Sequence, residues 1–470
     1  MPLDAILPRP PMPDRARTQV ESFLVLRRNP LELWGPMAYE EWVLPGSFLG
    51  RGQVFLNDPA AIRHVLVTNA ANYVRNRGTK RILAPILGEG LFLAEGESWK
   101  AARRTIAPAL APRAMPVMAR HIAAETAAHE PELDAASRRP VELMRFLQRL
   151  TLAIAGRTMF SLETAAFGAE LRTLLERYAT LYAKPGLLDL LLPESVPSPL
   201  DLGRRRFRGE WLAFMDRILA AREGAAPWDE AAGAPRDLLD LLRAARDPET
   251  GGGFTRDRLR DEVSTLLLAG HETTAVSLFW SLLAAARLPE WQEELAEEAR
   301  AADLSPDGAA AAADALPKLR AHLDEALRLY PPAFLIVREA VAEDEIPVTA
   351  RHGGASTHRV APGTVVSVSP WVLHRHRGLW RDPDAFDASR FLPGAPAVDR
   401  FAYLPFGAGP RICVGARFAT TEAVIVLARL LRRYRIEPFG GDRVVPLGLV
   451  TTQPDRPVRF VVTRRAGVSP

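Results

Sequence analysis

The sequence predicts a mainly α protein with a smaller β-rich part, an α+β chain, on three observations. From Pro112 to Arg246 the pattern is almost continuously helical, rich in Ala, Leu and Arg, with breaks near Arg138-Arg139-Pro140 and Lys184-Pro185-Gly186. From Phe254 to Arg287 runs the longest helical pattern, apolar on most faces after Val263, which belongs in the middle of a large core. Short alternating stretches within Val43–Leu56, Val365–Val372 and Leu447–Thr452 supply the strands.

Composition sets the outer limits. The 470 residues are 48% hydrophobic and 25% charged, the ordinary balance of a globular protein with a substantial core. A net charge of +4 gives no ground for wholesale nucleic-acid binding. One cysteine excludes an intrachain disulfide and suits a reducing cytosol. Met1 to Asp14 holds five prolines and no long apolar run. Neither a signal peptide nor a membrane anchor is expected there, and the chain reads as soluble and cytoplasmic.

In chain order, Arg15–Trp34 is expected to be helical with an interruption at Pro30, and Val43–Leu56 to form an antiparallel pair. Asn57-Asp58-Pro59 combines a cap with a first-turn proline and starts a helix to about Thr68. Asn69–Glu97 is irregular, basic and then apolar, a long loop of the kind that is either functional or disordered. Helix resumes at Glu97, and Trp99 and Arg103, four apart, share one face of it. Leu187–Leu202, apolar and proline-rich, has the composition of a lid over a pocket or of a plain connector. The stretches 224–234 and 301–315 are small-residue loops or weak helices. Leu316–Tyr330 is a further helix, followed by a β-like run Ala333–Val337 and then Arg338. Thr349–Arg359 extends a hairpin without an assigned role, and Ala416–Tyr434 is the last helix.

Two segments break these patterns with polar or flexible residues. Midway along the longest helix lies Ala269-Gly270-His271-Glu272-Thr273-Thr274. Glycine, an acid and adjacent threonines are poor choices for a buried helix unless they have a job. One reading is a kink in which Thr273 bonds back to a carbonyl one turn earlier; the other is a groove opened by Gly270 and Thr273. The second segment is Phe406-Gly407-Ala408-Gly409-Pro410-Arg411-Ile412-Cys413-Val414-Gly415, which holds the lone cysteine. A lone thiol is most often buried filler. Here glycines leave the sulfur uncrowded, the following helix points its positive end at it, and Arg411 adds a cation two residues away. All of this favours a thiolate, the form that binds metal. Glu325-Ala326-Leu327-Arg328, taken alone, is an ordinary surface pair of little energetic value.

The order Phe-x-x-Gly-x-Arg-x-Cys-x-Gly resembles the cysteine loop of the cytochrome P-450 superfamily at every fixed position. The other landmarks fall in that family's order: Trp99-x-x-x-Arg103, Ala269-Gly270-x-Glu272-Thr273, Glu325-x-x-Arg328 and Arg390-Phe391. The resemblance covers essentially the whole chain and implies the mostly helical, triangular fold of that family, one haem domain over residues 1–470. It implies haem b (iron protoporphyrin IX) with Cys413 as thiolate axial ligand. Trp99, Arg103, Arg338 and Arg411 are the implied propionate donors, with Phe406 and Gly407 in the loop. A thiolate ligand pushes electron density onto haem iron and favours O–O cleavage. Thr273 is then expected beside the dioxygen being activated, with Glu272 as the general acid that relays protons. Glu325, Arg328 and Arg390 would form a structural triad bracing the approach to the cysteine loop.

The implied reaction inserts one oxygen atom of O2 into a C–H or C=C bond of an apolar small molecule. Gly88-Glu89-Gly90-Leu91-Phe92-Leu93 is similar to the corresponding loop of soluble bacterial fatty-acid hydroxylases, which would set Phe92 above the haem. Ordinary core packing is the other reading of Phe92. With Leu266, Ala269, Ala333 and Leu335 it would form an apolar pocket suited to a fatty acid or terpenoid. Electrons are expected from a separate ferredoxin or flavodoxin, docked on a basic face of Arg104, Arg113, Arg417, Arg429, Arg432 and Arg433. Two rivals remain. A peroxide-driven peroxygenase or isomerase on the same scaffold is disfavoured by the Glu272-Thr273 pair, and a non-catalytic haem-thiolate sensor would leave the polar break in the long helix without a job.

Overall fold

Thr255 starts the organising helix: its hydroxyl accepts the Arg258 N–H, and Arg256–Arg287 follows unbroken. This computed structural model describes residues 7–466 apart from 16, 49, 137–138, 163–166, 193–195, 224–234, 350–353 and 442. Helices Leu143–Phe160, Ala416–Arg433 and Pro317–Leu329 pack around the central one, together with the strand Tyr434–Pro438. Aromatic packing locks its C-terminal half. Trp280 and Tyr330 stack with ring centroids 4.0 Å apart, and Trp280 Nε1 donates to Thr452 O at 2.7 Å. Arg256–Arg287 is long and apolar enough to cross a membrane, but 67% of that apolar window is buried inside the protein. It is a core helix.

Among the described residues the β-rich part is a mixed five-stranded sheet with a smaller three-stranded sheet and two hairpins. In the larger sheet Val43–Phe48 pairs antiparallel with Arg51–Leu56, as expected, with Val43 opposite Leu56. Arg51–Leu56 then runs parallel to Val365–Val368, which pairs with Ile336–Ala340, and that strand holds Tyr73–Val74 at the edge. The hairpin expected around Thr349–Arg359 is present as Asp344–Thr349 against Ala355–Val360; its residues 350–353 lie outside the described residues, as do 224–234.

Two expectations change, and two others settle between their alternatives. The irregular stretch Asn69–Glu97 contains a true helix, Arg77–Leu87, capped by Asn76 and ended at Gly88 with φ +56°. Pro85 in its last turn and a basic first half hide the periodicity. The strand expected to run to Val372 stops at Val368, because Ser369 caps a short helix beginning at Pro370. The 301–315 stretch carries the helix Ala309–Asp314. Leu187–Leu202 is partly helical, with Leu187–Leu191 as one turn and Pro199 opening the helix to Glu223; residues 193–195 are outside the described set.

The segment after Gly88 is fastened to the central helix by charge. Asp261 accepts the Glu89 N–H at 2.9 Å, and Glu262 accepts the Leu91 N–H at 2.7 Å. A Cβ on Gly90 would lie 2.1 Å from Thr265 Oγ1 and 2.6 Å from Asp261 O, so only glycine permits this approach.

Candidate active site

Glu325 and Arg328 are fully buried, so the reading as a surface pair fails. Arg328 Nε and Nη2 each donate to the Glu325 carboxylate at 2.7 Å, a bidentate pair. The remaining donors reach His374 O and Pro383 O at 2.7 Å and Ala385 O at 2.8 Å. Arg390 Nε stands 3.6 Å from Glu325, and the Asp387 N–H donates to Glu325 at 2.7 Å. The triad therefore gathers the coil that precedes the cysteine loop. Sequence reasoning missed His374, which carries this brace onward: Leu404 N–H donates to its Nε2 at 2.8 Å, two residues before Phe406.

In the cysteine loop, Cys413 N–H donates to Phe406 O at 2.9 Å. Gly407 and Gly409 both have φ +73°, and a Cβ on Gly409 would lie 1.9 Å from Leu66 O. Cys413 opens on a cavity of about 400 Å³. Its exposure is toward that cavity; the protein around it still desolvates the sulfur. Burial pushes the thiol up from its ordinary value, against smaller opposing effects of the Gly415 N–H and the Arg103 cation. The loop's own groups thus favour the thiolate but do not outweigh burial, and a bound metal cation would supply the rest. Arg411 is not the local cation. Its guanidinium turns away, donating to Ala94 O at 2.9 Å, pairing with Glu95 and stacking 4.6 Å above the Trp99 ring. Arg103 takes that place, with Nη1 donating to Ile412 O at 2.8 Å.

Trp99, Arg103, Arg338 and Arg411 all line the cavity, as do Phe406 and Gly407. Arg338 is buried and, among the described residues, its side chain hydrogen-bonds the neighbouring Val337 O at 2.9 Å. Burial, then the Arg411 cation, pushes it down to about 10. Arg75, overlooked in the irregular stretch, belongs to the same cluster. One buried and three half-buried guanidiniums facing an open cavity with a free sulfur on its wall fit a metal-bearing group that also carries carboxylates.

On the central helix, Ala269, Gly270, Thr273 and Thr274 line the cavity. A Cβ at Gly270 would meet nothing within 4 Å, so the groove reading holds there. The kink reading holds as well: Thr273 Oγ1 donates to Ala269 O at 2.5 Å. Glu272 is not brought to the cavity. Its carboxylate accepts Gln453 Nε2 at 2.7 Å and Gln148 Nε2 at 3.4 Å on strand and helix neighbours elsewhere. A different acid lines the wall, Glu422 of Ala416–Arg433, 1% exposed. Burial pushes its carboxyl well above the usual range, against a pull down from the Thr274 hydroxyl beside it. Phe92, Leu266, Ala333 and Leu335 complete the apolar wall.

The expected basic docking face is largely consumed inside the protein. Arg104 pairs with Asp247 at 2.8 Å, Arg417 with Asp314 at 2.5 Å, Arg429 with Glu130 at 2.7 Å and Arg433 with Asp134 at 2.6 Å. Arg429 and Arg433 are also buried. Only Arg113 and Arg432 of the six form no ion pair among the described residues.

A family model described as cytochrome P-450 matches residues 45–457. The chain belongs to the cytochrome P-450 family. Cyclooctatin synthase of Streptomyces melanosporofaciens is 33% identical over 85% of this chain and 84% of its own length. Cyclooctat-9-en-7-ol 5-monooxygenase of the same organism is 31% identical over 76% of this chain and 74% of its own. A cytokinin hydroxylase of Arabidopsis thaliana is 28% identical over 85% and 75%. As a cytochrome P-450 the protein is a monooxygenase with an α+β fold and a haem whose axial ligand is a cysteine thiolate. Cys413 is its only cysteine.

Proposed function

We propose that this cytochrome P-450 oxygenates a neutral, terpenoid-like hydrocarbon skeleton, drawing electrons from a separate ferredoxin or flavodoxin. One observation carries the substrate class: the cavity's hydroxyl donors are spent inside their own segments. Thr158 donates to Ile154 O, Thr265 to Asp261 O, Thr273 to Ala269 O, Ser277 to Thr273 O, Thr420 to Ala416 O and Thr79 to Asn76 Oδ1. Thr274 is the exception: its hydroxyl is buried without a hydrogen-bond partner among the described residues, beside Glu422, whose carboxyl burial pushes upward. Fixed positive charge gathers where Arg75, Arg338 and Arg411 meet beside Phe92, and the walls built by Leu266, Ala333 and Leu335 offer a carboxylate no partner. Burial of apolar area rather than polar anchoring then selects the substrate. Bacterial terpenoid-modifying relatives support the terpenoid over the fatty acid.

The haem, held by Cys413, supplies oxygen activation and attack on an unactivated carbon. The chain's own residues manage water and protons. Apolar walls exclude bulk water, and Thr273, whose hydrogen is given to Ala269 O, uses its lone pairs to accept from and orient a water that carries the proton into the cavity. Glu272 acts as the acid behind that turn and has to release Gln453 to pass a proton forward. The whole of residues 1–470 works as one cytoplasmic catalytic unit in this reading.

The test is a panel of binding spectra on the haem-loaded protein, followed by turnover with a surrogate ferredoxin system. Cyclic terpene hydrocarbons and their mono-alcohols should shift the Soret band and yield oxygenated products. Tight binding confined to fatty acids would overturn the substrate class. Product formed with peroxide but not with a reduced electron carrier would favour the peroxygenase.

A further inference from the structure

The strand Asp344–Thr349, first of the hairpin that the sequence leaves without a role, is fastened at both ends to the helix Pro59–Arg63 and the turn after it. At one end the Thr349 N–H donates to Asp58, whose other carboxylate oxygen caps that helix by accepting the Ala60 N–H at 2.8 Å. At the other, Asp344 Oδ2 accepts three donors: His64 Nε2 at 2.8 Å, Asn69 Nδ2 at 3.0 Å and the Tyr73 hydroxyl at 2.6 Å. Burial works to raise the Asp344 carboxyl, but those donors together hold it below the usual carboxylate range. His64 and Asn69 mark the two ends of a π-helical turn, His64–Thr68, closed by the Asn69 N–H on His64 O at 2.8 Å. Such turns are rare and recur at functional sites. This one carries Leu66, which lines the cavity. A Cβ on Gly409 would lie 1.9 Å from Leu66 O and 3.3 Å from Val67 Cγ2, so the turn rests directly on the cysteine loop. Val65 and Leu66 also share a buried apolar cluster with Leu404 and Ala408, around the start of that loop, and with Ile346 of the strand.

We infer that Asp344 is a positioning residue for the haem thiolate: by joining the two ends of the π-turn, it fixes the Leu66 carbonyl against Gly409 and so sets where Cys413 presents its sulfur. The Glu325–Arg328 brace meets the chain at Leu404, through His374. Gly409, four residues before Cys413, rests on the π-turn instead. The two supports therefore act on different parts of the loop. Without the carboxylate the turn is free to rewind to ordinary α geometry, shedding its extra residue and carrying Leu66 off Gly409. Tyr73 supplies the internal comparison. It donates to the same oxygen from the edge strand Tyr73–Val74, outside the turn, so its loss leaves the turn's two ends joined.

The haem-loaded wild type, Asp344→Asn, Asn69→Ala and Tyr73→Phe are compared. Each reduced, carbon-monoxide-bound protein is warmed, and loss of the red-shifted thiolate band is timed against far-UV circular dichroism. Asp344→Asn and Asn69→Ala should each speed band loss about tenfold, the size of one hydrogen bond to a charged group, at temperatures where helical ellipticity is retained. Tyr73→Phe removes a bond of the same kind and should stay close to the wild type. The reduction potential of Asp344→Asn should move positive, because a thiolate held less firmly donates less electron density to the iron. Should Asp344→Asn not take up haem, Asn69→Ala against Tyr73→Phe decides the same question. Wild-type band loss and potential in Asp344→Asn would overturn the assignment. Equal acceleration in Tyr73→Phe, or band loss that only tracks loss of ellipticity, would make Asp344 a contact of the fold and overturn it as well.

Discussion

His374 accepts the Leu404 N–H on Nε2 at 2.8 Å, which fixes its tautomer: Nδ1 must carry the hydrogen and donates it to Arg328 O at 3.1 Å. The imidazole is a fully buried relay between the Glu325–Arg328 pair and the chain entering the cysteine loop.

Burial pushes His374 down to about 3, and His322 to about 4. Both are therefore neutral in the folded protein through the range where an unfolded histidine, near its ordinary value of about 6.5, takes up a proton. As pH falls below that value the unfolded state binds protons that the folded state refuses, so stability declines. The decline runs to about pH 3–4, at up to about 1.4 kcal/mol per pH unit for each histidine. Denaturant titrations at a series of pH values should show a shallower slope for His374→Gln than for the parent, by about one proton. An unchanged slope would mean that His374 already carries charge when folded.

Removing Glu325 leaves the Arg328 guanidinium buried and unpaired. Glu325→Ala should cost about 3–5 kcal/mol and yield little haem-loaded protein on expression. Arg328→Lys should fare almost as badly, since one ammonium cannot reach Glu325 together with His374 O, Pro383 O and Ala385 O. Near-normal thermal midpoints of the holoproteins would contradict the brace.

Thr273→Ala removes the cavity-facing hydroxyl without disturbing the helix, because the bond to Ala269 O is internal to one turn. Product formed per reductant consumed should fall several-fold and hydrogen peroxide should rise to match. Unaltered coupling would place proton delivery elsewhere, with Glu422 and Thr274 as the next pair to examine.

Gly409→Ala forces a side chain into a left-handed backbone and onto Leu66 O. Strain of about 1–3 kcal/mol is expected from the backbone alone. The red-shifted Soret band of the reduced, carbon-monoxide-bound protein reports the thiolate, and it should give way to the band of a protein without thiolate ligation. A full red-shifted band would show that the loop can deform without losing Cys413.

The parts of the site that were legible in the sequence are those whose chemistry lies within one short segment. Cys413 with its glycines, and Gly270 with Thr273, carry their spacing on a single loop or a single helical turn. Arg75, His374 and Glu422 were not legible, because each acquires its role only from residues far along the chain: Arg338, Leu404 and Thr274. The same distinction explains the failures. Arg411 is near Cys413 in sequence, but a loop turns successive side chains apart, and Glu95 and Ala94 O capture it. Arg429 and Arg433 look like surface cations on their helix until Glu130 and Asp134 fold against them. The helix Arg77–Leu87 was missed because a proline and a basic first half mask an amphipathic pattern that its buried Ile86 and Leu87 complete.

Asp261 and Glu262 hold the backbone of Glu89 and Leu91, so the strand of chain that carries Phe92 is clamped by main-chain atoms and not by its own side chains. This makes the roof an interchangeable surface on a fixed mount. Phe92 can be varied to reshape what the cavity accepts, while Gly88, Gly90, the two acids and the buried Leu91 and Leu93 stay as the socket. A library randomised at Phe92 should keep its fold and haem and spread its product profile, whereas one randomised at Gly90 should mostly fail to assemble.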